Sequence, residues 1–182
     1  MSVPGDVGRS KRLSLVLRHR PWLLGLSLDL HGWVDVTTLL DALASHGHPM
    51  TREDLDRVVR TNDKKRFEWD MTTDRIRARQ GHSVAVDLEL EPADPPQTLF
   101  HGTPRRNVAS IGTGGLDRRR RHHVHLSPDQ ATAARVGARR GEHVVLTIDA
   151  GAMSRAGHRF WLTSNGVWLT DSVPPEFIGF PE

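Results

Sequence analysis

Apolar residues recur at helical spacing three times in the first half of the chain. Pro21 ends the first stripe because proline cannot continue a helix, and Asp35 and Thr51 stand where they can cap the second and third helices. Alternating segments on either side of a turn, within residues 66–79, predict a β-hairpin. Helices followed by a hairpin indicate a winged-helix lobe, which by itself says little about function. The three stripes are formed by Leu13, Val16 and Leu17, by Leu39, Leu40 and Leu43, and by Leu55, Val58 and Val59.

The second half of the chain alternates extended and helical segments and predicts a mixed α+β lobe. Residues 98–102, 122–127 and 143–149 are expected to be strands. The last of them should be buried on both faces, because its apolar run is nearly continuous. Pro128 suits the first turn of a following helix, and the Asn-Gly pair at 165–166 is typical of a hairpin turn.

Charge divides the sequence into three parts. Residues 84–99 contain four acidic residues, no basic ones and three prolines, whereas the segments before and after them have a net positive charge. Proline continues neither a helix nor a central strand, so this acidic segment is interpreted as a linker. The sequence therefore predicts a first lobe at residues 1–83, a linker at 84–99 and a second lobe at 100–182.

Composition narrows the possible environments and partners. The chain has 182 residues and no cysteine, which excludes disulfides and thiolate chemistry. It contains neither a long apolar run nor an apolar signal segment, so we expect a cytoplasmic protein without a membrane span. Of the 25 lysines and arginines, only Lys11, Lys64 and Lys65 are lysines. Arginine suits phosphate recognition, although a coding bias towards arginine explains the same composition equally well.

Three potentially cationic residues, Arg18-His19-Arg20, stand at the end of the first predicted helix. A cation there gains only about 0.3–1 kcal/mol, so ordinary helix-end electrostatics permits the cluster. The sharper alternative is an anion site that Arg18 and His19 border, with Arg20 as a surface charge. Arg66 and Arg139 also stand beside structured apolar stretches, where a solvated charge or a phosphate contact would explain them.

Several histidines fall in predicted strands. His101 lies in one strand, and His123 and His125 share a face of another. No third carboxylate or cysteine lies at ligand spacing, so hydrogen bonding to a ligand is favoured over a metal site. The basic run 117–123 and the polar segment 79–83 are either solvated loops or contacts for nucleic-acid phosphate. The sequence contains neither a nucleophilic-serine motif nor a phosphate-loop motif, so an enzyme of this kind would depend on cations and histidine.

Between Ser10 and Pro174, an ordered set of segments resembles the RNA 2′-phosphotransferase family. The segments are LSLVLRHRP with LDLHGWVDVTTLL, NDKKRFEW, IRARQGHS, LFHGT, RHHVHLS, VGARRGEHVVLTID and NGVWLTDSVP. The resemblance implies an N-terminal winged-helix RNA lobe and a C-terminal NAD lobe of the ADP-ribosyltransferase type. It also implies that an internal RNA 2′-phosphate attacks NAD with loss of nicotinamide. The ADP-ribosylated RNA would then break down to 2′-hydroxyl RNA and ADP-ribose 1″,2″-cyclic phosphate.

The resemblance also implies roles for individual residues. The family's catalytic group falls on Arg18, His19, Arg66 and Arg139, with Arg140 as a one-residue alternative to Arg139. Residues expected to bind NAD are His101, Gly102, Thr103, His125, Ser127 and Val167, with Gly102 allowing close backbone approach. Residues expected to contact RNA or its phosphate are Lys64, Lys65, Gln80, His82 and Arg121. Two positions depart from the family's pattern, since Arg79 replaces the usual asparagine and Phe100 a common tyrosine.

The expected partners are therefore NAD as a co-substrate and an RNA that bears a 2′-phosphate, with no metal and no membrane, in a monomer. Two alternatives remain open from the sequence. One is an ADP-ribosyltransferase that stops after the first step and caps terminal phosphates of nucleic acids. The other is a winged-helix protein that binds nucleic acid without catalysis.

Overall fold

A computed structural model describes residues 5–62 and 64–181, and the side chain of Arg140 lies outside the described part. The chain divides into two compact units, Met1–Glu89 and Leu90–Glu182. Both contain helices and antiparallel strands, so the protein is of the α+β class. None of the described helices combines the length and apolar character that crossing a membrane would require.

Three helices pack against a small sheet in the first unit. The sheet has the order β1-β3-β2, and both pairings are antiparallel. The buried core of this unit joins apolar residues of all three helices to Phe67 and Ile76 from the sheet. The helices are α1 Asp6–Arg18, α2 Val36–Ser45 and α3 Arg52–Thr61, and the strands are β1 Val34–Asp35, β2 Phe67–Asp70 and β3 Arg75–Ala78.

The local signals for these helices are confirmed. The Asp35 side chain accepts a hydrogen bond from the backbone N–H of Thr38 at 2.7 Å and caps α2. Thr51 and Asp54 form a reciprocal capping box at the start of α3. A 3-10 turn that begins at Pro21 follows α1, so the first helix ends before the proline, as predicted.

The described part of the second unit, residues 90–181, contains three small α-helices and three antiparallel sheets. The sheets have the orders β11-β7-β4, β6-β9-β8 and β10-β5. Phe100 and Ser127 join the first two sheets through mutual backbone hydrogen bonds of 2.8 and 2.9 Å. The strands are β4 Thr98–Pro104, β5 Leu116–Asp117, β6 Val124–Leu126, β7 His143–Asp149, β8 Phe160–Leu162, β9 Trp168–Thr170, β10 Ser172–Val173 and β11 Ile178–Gly179. The helices are α4 Val108–Gly114, α5 Gln130–Gly137 and α6 Ala150–Arg155.

Two details of the second unit differ from prediction. Strand β7 is buried on one face only, because Val144, Leu146 and Ile148 are buried while Thr147 is exposed. It lies between two antiparallel neighbours, an arrangement that can leave one face open to solvent. Helix α5 begins at Gln130 and is capped by the side chain of Asp129, so Pro128 precedes the helix instead of occupying its first turn.

The acidic segment is without regular helix or extended strand from residue 84 to residue 97, but it is not free of contacts. Asp87 donates its backbone N–H to the carbonyl of Leu30 in the first unit at 2.7 Å. Ala93 donates likewise to Phe160 in the second unit at 2.8 Å. Strand β4 already begins at Thr98, two residues before the predicted start of the second lobe at residue 100.

Candidate active site

The end of helix α1 packs against the segment that follows β3. The backbone N–H groups of His19 and Arg20 both turn back to the carbonyl of Leu15, at 3.0 and 2.9 Å. This closes the helix and leaves the carbonyl of Arg18 to accept from the N–H of Ser83 at 2.8 Å. The Nδ1 atom of His19 lies 2.9 Å from the Ser83 hydroxyl. Arg18 and His19 are therefore fixed to one loop by both backbone and side chain.

Arg66 joins this cluster from the turn between α3 and β2. Its carbonyl accepts a hydrogen bond from Nη2 of Arg18 at 3.4 Å and another from the N–H of Arg79 at 2.9 Å. Its own guanidinium donates through Nη1 to Oδ1 of Asn62 at 2.9 Å. Three residues of the predicted catalytic group, Arg18, His19 and Arg66, thus lie together within the first unit. We call these three the cation cluster.

Four residues expected to contact RNA lie on the segments beside the cation cluster. Lys64 and Lys65 are exposed in the turn before β2, and Lys65 has a positive φ of 41°. Gln80 and His82 are only 8% and 1% exposed. The ring of His82 packs against Gly32, where an added Cβ would lie 3.4 Å from Nε2. Such burial suits support of the loop better than direct contact with a phosphate.

In the second unit, His101 on β4 is tied to β6. Its Nδ1 lies 3.0 Å from the carbonyl oxygen of His125. Because a carbonyl can only accept, Nδ1 carries the proton and donates it. Burial lowers the pKa of His101, and the charge of Arg121 adds to that effect, against the opposing hydrogen bond to His125. The ring is therefore held neutral, with its lone pair on Nε2.

His125 repeats this arrangement one strand away. Its Nδ1 lies 3.1 Å from the carbonyl oxygen of His123, so Nδ1 carries a proton and donates it. His125 pairs with Leu169 across the β6–β9 ladder, which ends with the pair Leu126 and Trp168, so Ser127 and Val167 each lie one residue beyond the ladder. Val167 is half-buried in the hairpin turn, with its N–H bonded to the Thr163 hydroxyl at 3.0 Å. Of the six predicted cofactor residues, His101 and His125 thus lie on strands β4 and β6, while Ser127 and Val167 lie immediately next to the ends of β6 and β9.

Gly102 and Thr103 serve the framework of the second unit. A Cβ at Gly102 would lie 1.9 Å from the carbonyl oxygen of Ala133, so this glycine lets α5 pack directly on β4. The close approach expected here is thus to the protein's own backbone. Thr103 is 4% exposed, and its hydroxyl accepts from the Asn107 amide at 3.4 Å.

The remaining predicted cations lie on the surface of the second unit. Arg139 is exposed in the 3-10 turn Ala138–Arg140, which continues α5. The alternative assignment to Arg140 concerns a side chain outside the described part. Arg121 is exposed in the basic run and acts electrostatically on His101.

Sequence reasoning missed two residues of the first unit, Asn62 and Ser83. Asn62 had a signal, since it is a polar residue at the end of a predicted helix beside a run of cations. Ser83 stands in a segment that was identified as a possible phosphate loop, but its contact with His19 joins residues 64 positions apart. Pattern along the chain does not reveal a pairing of that kind.

The cation cluster of the first unit and the two histidines of the second, His101 and His125, have complementary chemistry. Arginines held around a histidine suit a phosphate, because guanidinium donors match phosphate oxygens. A neutral imidazole such as that of His101, with its lone pair on Nε2, can accept a hydrogen bond from a ligand hydroxyl, such as that of a ribose. Within the described part, no three histidine or carboxylate side chains are grouped as ligands for a metal ion. These features suit recognition of a phosphate-bearing ligand by a protein of the α+β class.

Comparison with known proteins gives the family. Residues 4–172 match the model of the RNA 2′-phosphotransferase, Tpt1 / KptA family. The probable RNA 2′-phosphotransferase of Streptomyces griseus subsp. griseus is 57% identical over 93% of this chain and 93% of its own length. Those of Streptomyces coelicolor and Nostoc punctiforme are 55% and 52% identical, over 94% and 93% of this chain and 93% of their own lengths. The chain therefore belongs to the RNA 2′-phosphotransferase, Tpt1 / KptA family, and the resemblance inferred from sequence is confirmed.

Proposed function

We propose that this protein removes an internal 2′-phosphate from RNA with NAD as co-substrate. In the first step, a 2′-phosphate oxygen attacks the ribose carbon that carries nicotinamide, and the bond to nicotinamide breaks. In the second, the neighbouring ribose hydroxyl attacks phosphorus, and the bond to the RNA 2′-oxygen breaks. A proton passes from the attacking hydroxyl to the departing 2′-oxygen. RNA with a 2′-hydroxyl, nicotinamide and ADP-ribose 1″,2″-cyclic phosphate result.

The observation that carries this proposal is the cation cluster of the first unit. Arg18 donates to the carbonyl of Arg66 at 3.4 Å, and His19 lies 2.9 Å from the hydroxyl of Ser83. Transfer at phosphorus gathers negative charge on the non-bridging oxygens, and arginines fixed beforehand offset that charge in the transition state. We assign this role to Arg18, Arg66 and Arg139. His19 either binds the phosphate or moves the proton between the two hydroxyls.

We assign NAD binding to the second unit. The lone pair of His101 would accept a hydrogen bond from a ribose hydroxyl of NAD, beside His125, Ser127 and Val167. The exposed Arg121 supplies positive charge near His101 for the anionic part of either substrate. On this proposal the first unit is a winged-helix RNA-binding lobe and the second is an ADP-ribosyltransferase-like lobe.

The direct test mixes the protein with NAD and an RNA that carries one internal 2′-phosphate. We expect loss of the phosphate, one nicotinamide released per phosphate removed, and formation of the cyclic phosphate. A matched RNA with a 2′-hydroxyl should release no nicotinamide. Retention of the 2′-phosphate by well-folded protein would refute the proposal. A stable ADP-ribose cap on a terminal phosphate, without any cyclic phosphate, would instead support the capping alternative.

A further inference from the structure

Asn62 occupies a central position in the turn that carries Arg66. It is the residue at which helix α3 ends. Its Oδ1 lies within hydrogen-bond distance of three N–H donors, which are Nη1 of Arg66 at 2.9 Å and the backbone N–H groups of Lys64 and Arg66 at 3.3 and 3.4 Å. One side-chain oxygen therefore organises both the backbone of this turn and the Arg66 guanidinium.

The other end of the same amide reaches helix α1. Nδ2 of Asn62 donates to the hydroxyl of Ser10 at 2.7 Å, and Ser10 is only 8% exposed. The three donors around Oδ1 fix the orientation of the amide, because an NH₂ group there could accept none of them. Ser10 lies on the helix that ends at Arg18. Asn62 therefore ties the Arg66 turn to the element that presents the other arginine.

Asn62 holds Arg66 with a neutral acceptor. Elsewhere in the same unit, Arg57 is fixed by the carboxylates of Asp6 and Asp54. A carboxylate fixes a guanidinium but also offsets its charge, which weakens attraction for a second anion. An amide oxygen fixes the guanidinium through one N–H and, unlike a carboxylate, brings no negative charge of its own. The Arg66 carbonyl in turn receives Nη2 of Arg18, so the order that Asn62 imposes extends to both arginines.

We infer that Asn62 is a positioning residue for phosphate recognition, which holds Arg66, and through it Arg18, without itself adding a negative charge beside them. This inference rests on the proposed function. It identifies the residue that prepares the cation cluster for the 2′-phosphate, and it makes the neutrality of that residue as important as its geometry.

The test is a double-mutant cycle between positions 62 and 66. Asn62→Ala should lower kcat/KM for 2′-phospho-RNA about 10- to 100-fold, the range for loss of a hydrogen bond to a charged group. In the Arg66→Ala background the same change should cost less than about 3-fold, because its target is already absent. Asn62→Asp keeps an acceptor oxygen, to which the Ser10 hydroxyl can donate, but adds a negative charge. It should weaken binding of 2′-phospho-RNA without a matching loss for 2′-hydroxyl RNA.

Thr51→Ala is the matched control, since Thr51 caps the opposite end of the same helix. It should lower the melting temperature while kcat/KM stays near that of the unmodified protein. The inference would be overturned if Asn62→Ala lowered kcat/KM equally in the presence and absence of Arg66. It would also be overturned if Asn62→Asp bound 2′-phospho-RNA as well as the unmodified protein does. The same double-mutant cycle can be measured without turnover, from the affinities for 2′-phospho-RNA and 2′-hydroxyl RNA in the absence of NAD. If the proposed function itself is wrong, the unmodified protein will leave the 2′-phosphate in place, so the two failures can be distinguished.

Discussion

Arg18 and Arg20 lie two residues apart at the end of one helix, but their surroundings differ. Arg18 is half-buried and donates to the carbonyl of Arg66, whereas Arg20 is exposed. Arg18→Ala should lower 2′-phosphate removal roughly 10²–10³-fold, because a fixed donor for developing charge is lost. The first step forms a bond at carbon and should suffer less, so ADP-ribosylated RNA should accumulate. Gel separation of the RNA, with nicotinamide measured in the same samples, tests this.

Arg20→Ala is the control for that prediction. Its side chain is exposed, so activity should stay close to that of the unmodified protein. Arg139→Ala should behave like Arg18→Ala if the assignment of the fourth cation is right. An equal loss of nicotinamide release and phosphate removal in Arg18→Ala would contradict the role assigned to Arg18.

At the scale of single residues, the sequence predicts the features that follow from helix spacing. Helix spacing predicts that Arg18 and His19 are neighbours, and Arg20, interpreted as a surface charge, is exposed as expected. Spacing does not reveal Asn62, whose partner Ser10 lies 52 positions away. Nor does it reveal that Gln80 and His82 are buried, since small polar residues in a loop resemble an exposed phosphate contact. The contact of Asn62 and the burial of Gln80 and His82 are both tertiary features, which local pattern leaves undetermined.

His101 makes stability depend on pH in a defined direction. Burial lowers the pKa of His101 from its ordinary value of 6.5. Below about pH 6.5 the unfolded chain therefore binds a proton that the folded ring resists, and the free energy of unfolding falls as pH falls. His123 has a pKa lowered by burial too and contributes in the same direction. Urea unfolding between pH 7.5 and 5 should show this decrease.

His101→Asn separates the contribution of this ring. Its amide can donate to the His125 carbonyl in place of Nδ1, but it does not titrate. Its unfolding free energy should vary less with pH over the same range, with the part due to His123 remaining. Aspartates affect the free energy of unfolding only at lower pH. Asp70 is an example, since its hydroxyl partners lower its pKa to about 2. An unchanged pH dependence in His101→Asn would show that His101 is not held neutral.

The packing of helix α5 on strand β4 depends on Gly102. A methyl group there would meet the carbonyl oxygen of Ala133 at 1.9 Å, and backbone cannot yield as a flexible side chain does. Gly102→Ala should cost at least about 1–3 kcal/mol of folding free energy. Gly114→Ala is the matched control, since its methyl would meet no heavy atom of the described chain within 4 Å. Gly114→Ala should be neutral or stabilising by up to about 1 kcal/mol. Thermal melting of both variants measures the difference, and equal melting temperatures would contradict the prediction.

Elements were predictable where their signals are local. Asp35, Thr51 and Pro21 set helix ends through their own hydrogen bonds or ring geometry, and the structure agrees with each. Strand β7 was assigned correctly in extent but not in burial. Its continuous apolar run resembles a strand covered on both sides, whereas its antiparallel neighbours leave Thr147 exposed. Which face of a sheet is covered depends on distant elements, so hydropathy along one strand does not determine it.

On the scale of the molecule, each unit has its own core. Buried residues of the first unit, from Leu13 to Ala78, form one cluster, and those of the second, from Leu99 to Ile178, form another. The proposal gives the phosphate-binding cations Arg18 and Arg66 to the first and the NAD-binding imidazoles to the second. Recognition of the two substrates should therefore respond to different substitutions, even though the reaction needs both.

This separation can be measured as two dissociation constants for each variant. Arg66→Ala should weaken binding of 2′-phospho-RNA by 10-fold or more, the loss expected for a charge-assisted contact, and leave NAD affinity within about 2-fold. His101→Ala should do the reverse, because it removes an acceptor for ribose hydroxyls. Fluorescence anisotropy with labelled RNA and calorimetry with NAD give the two constants at one salt concentration, which must be fixed because phosphate contacts weaken as salt rises. Comparable weakening of both substrates by each variant would contradict the assignment of Arg66 to RNA binding and of His101 to NAD binding.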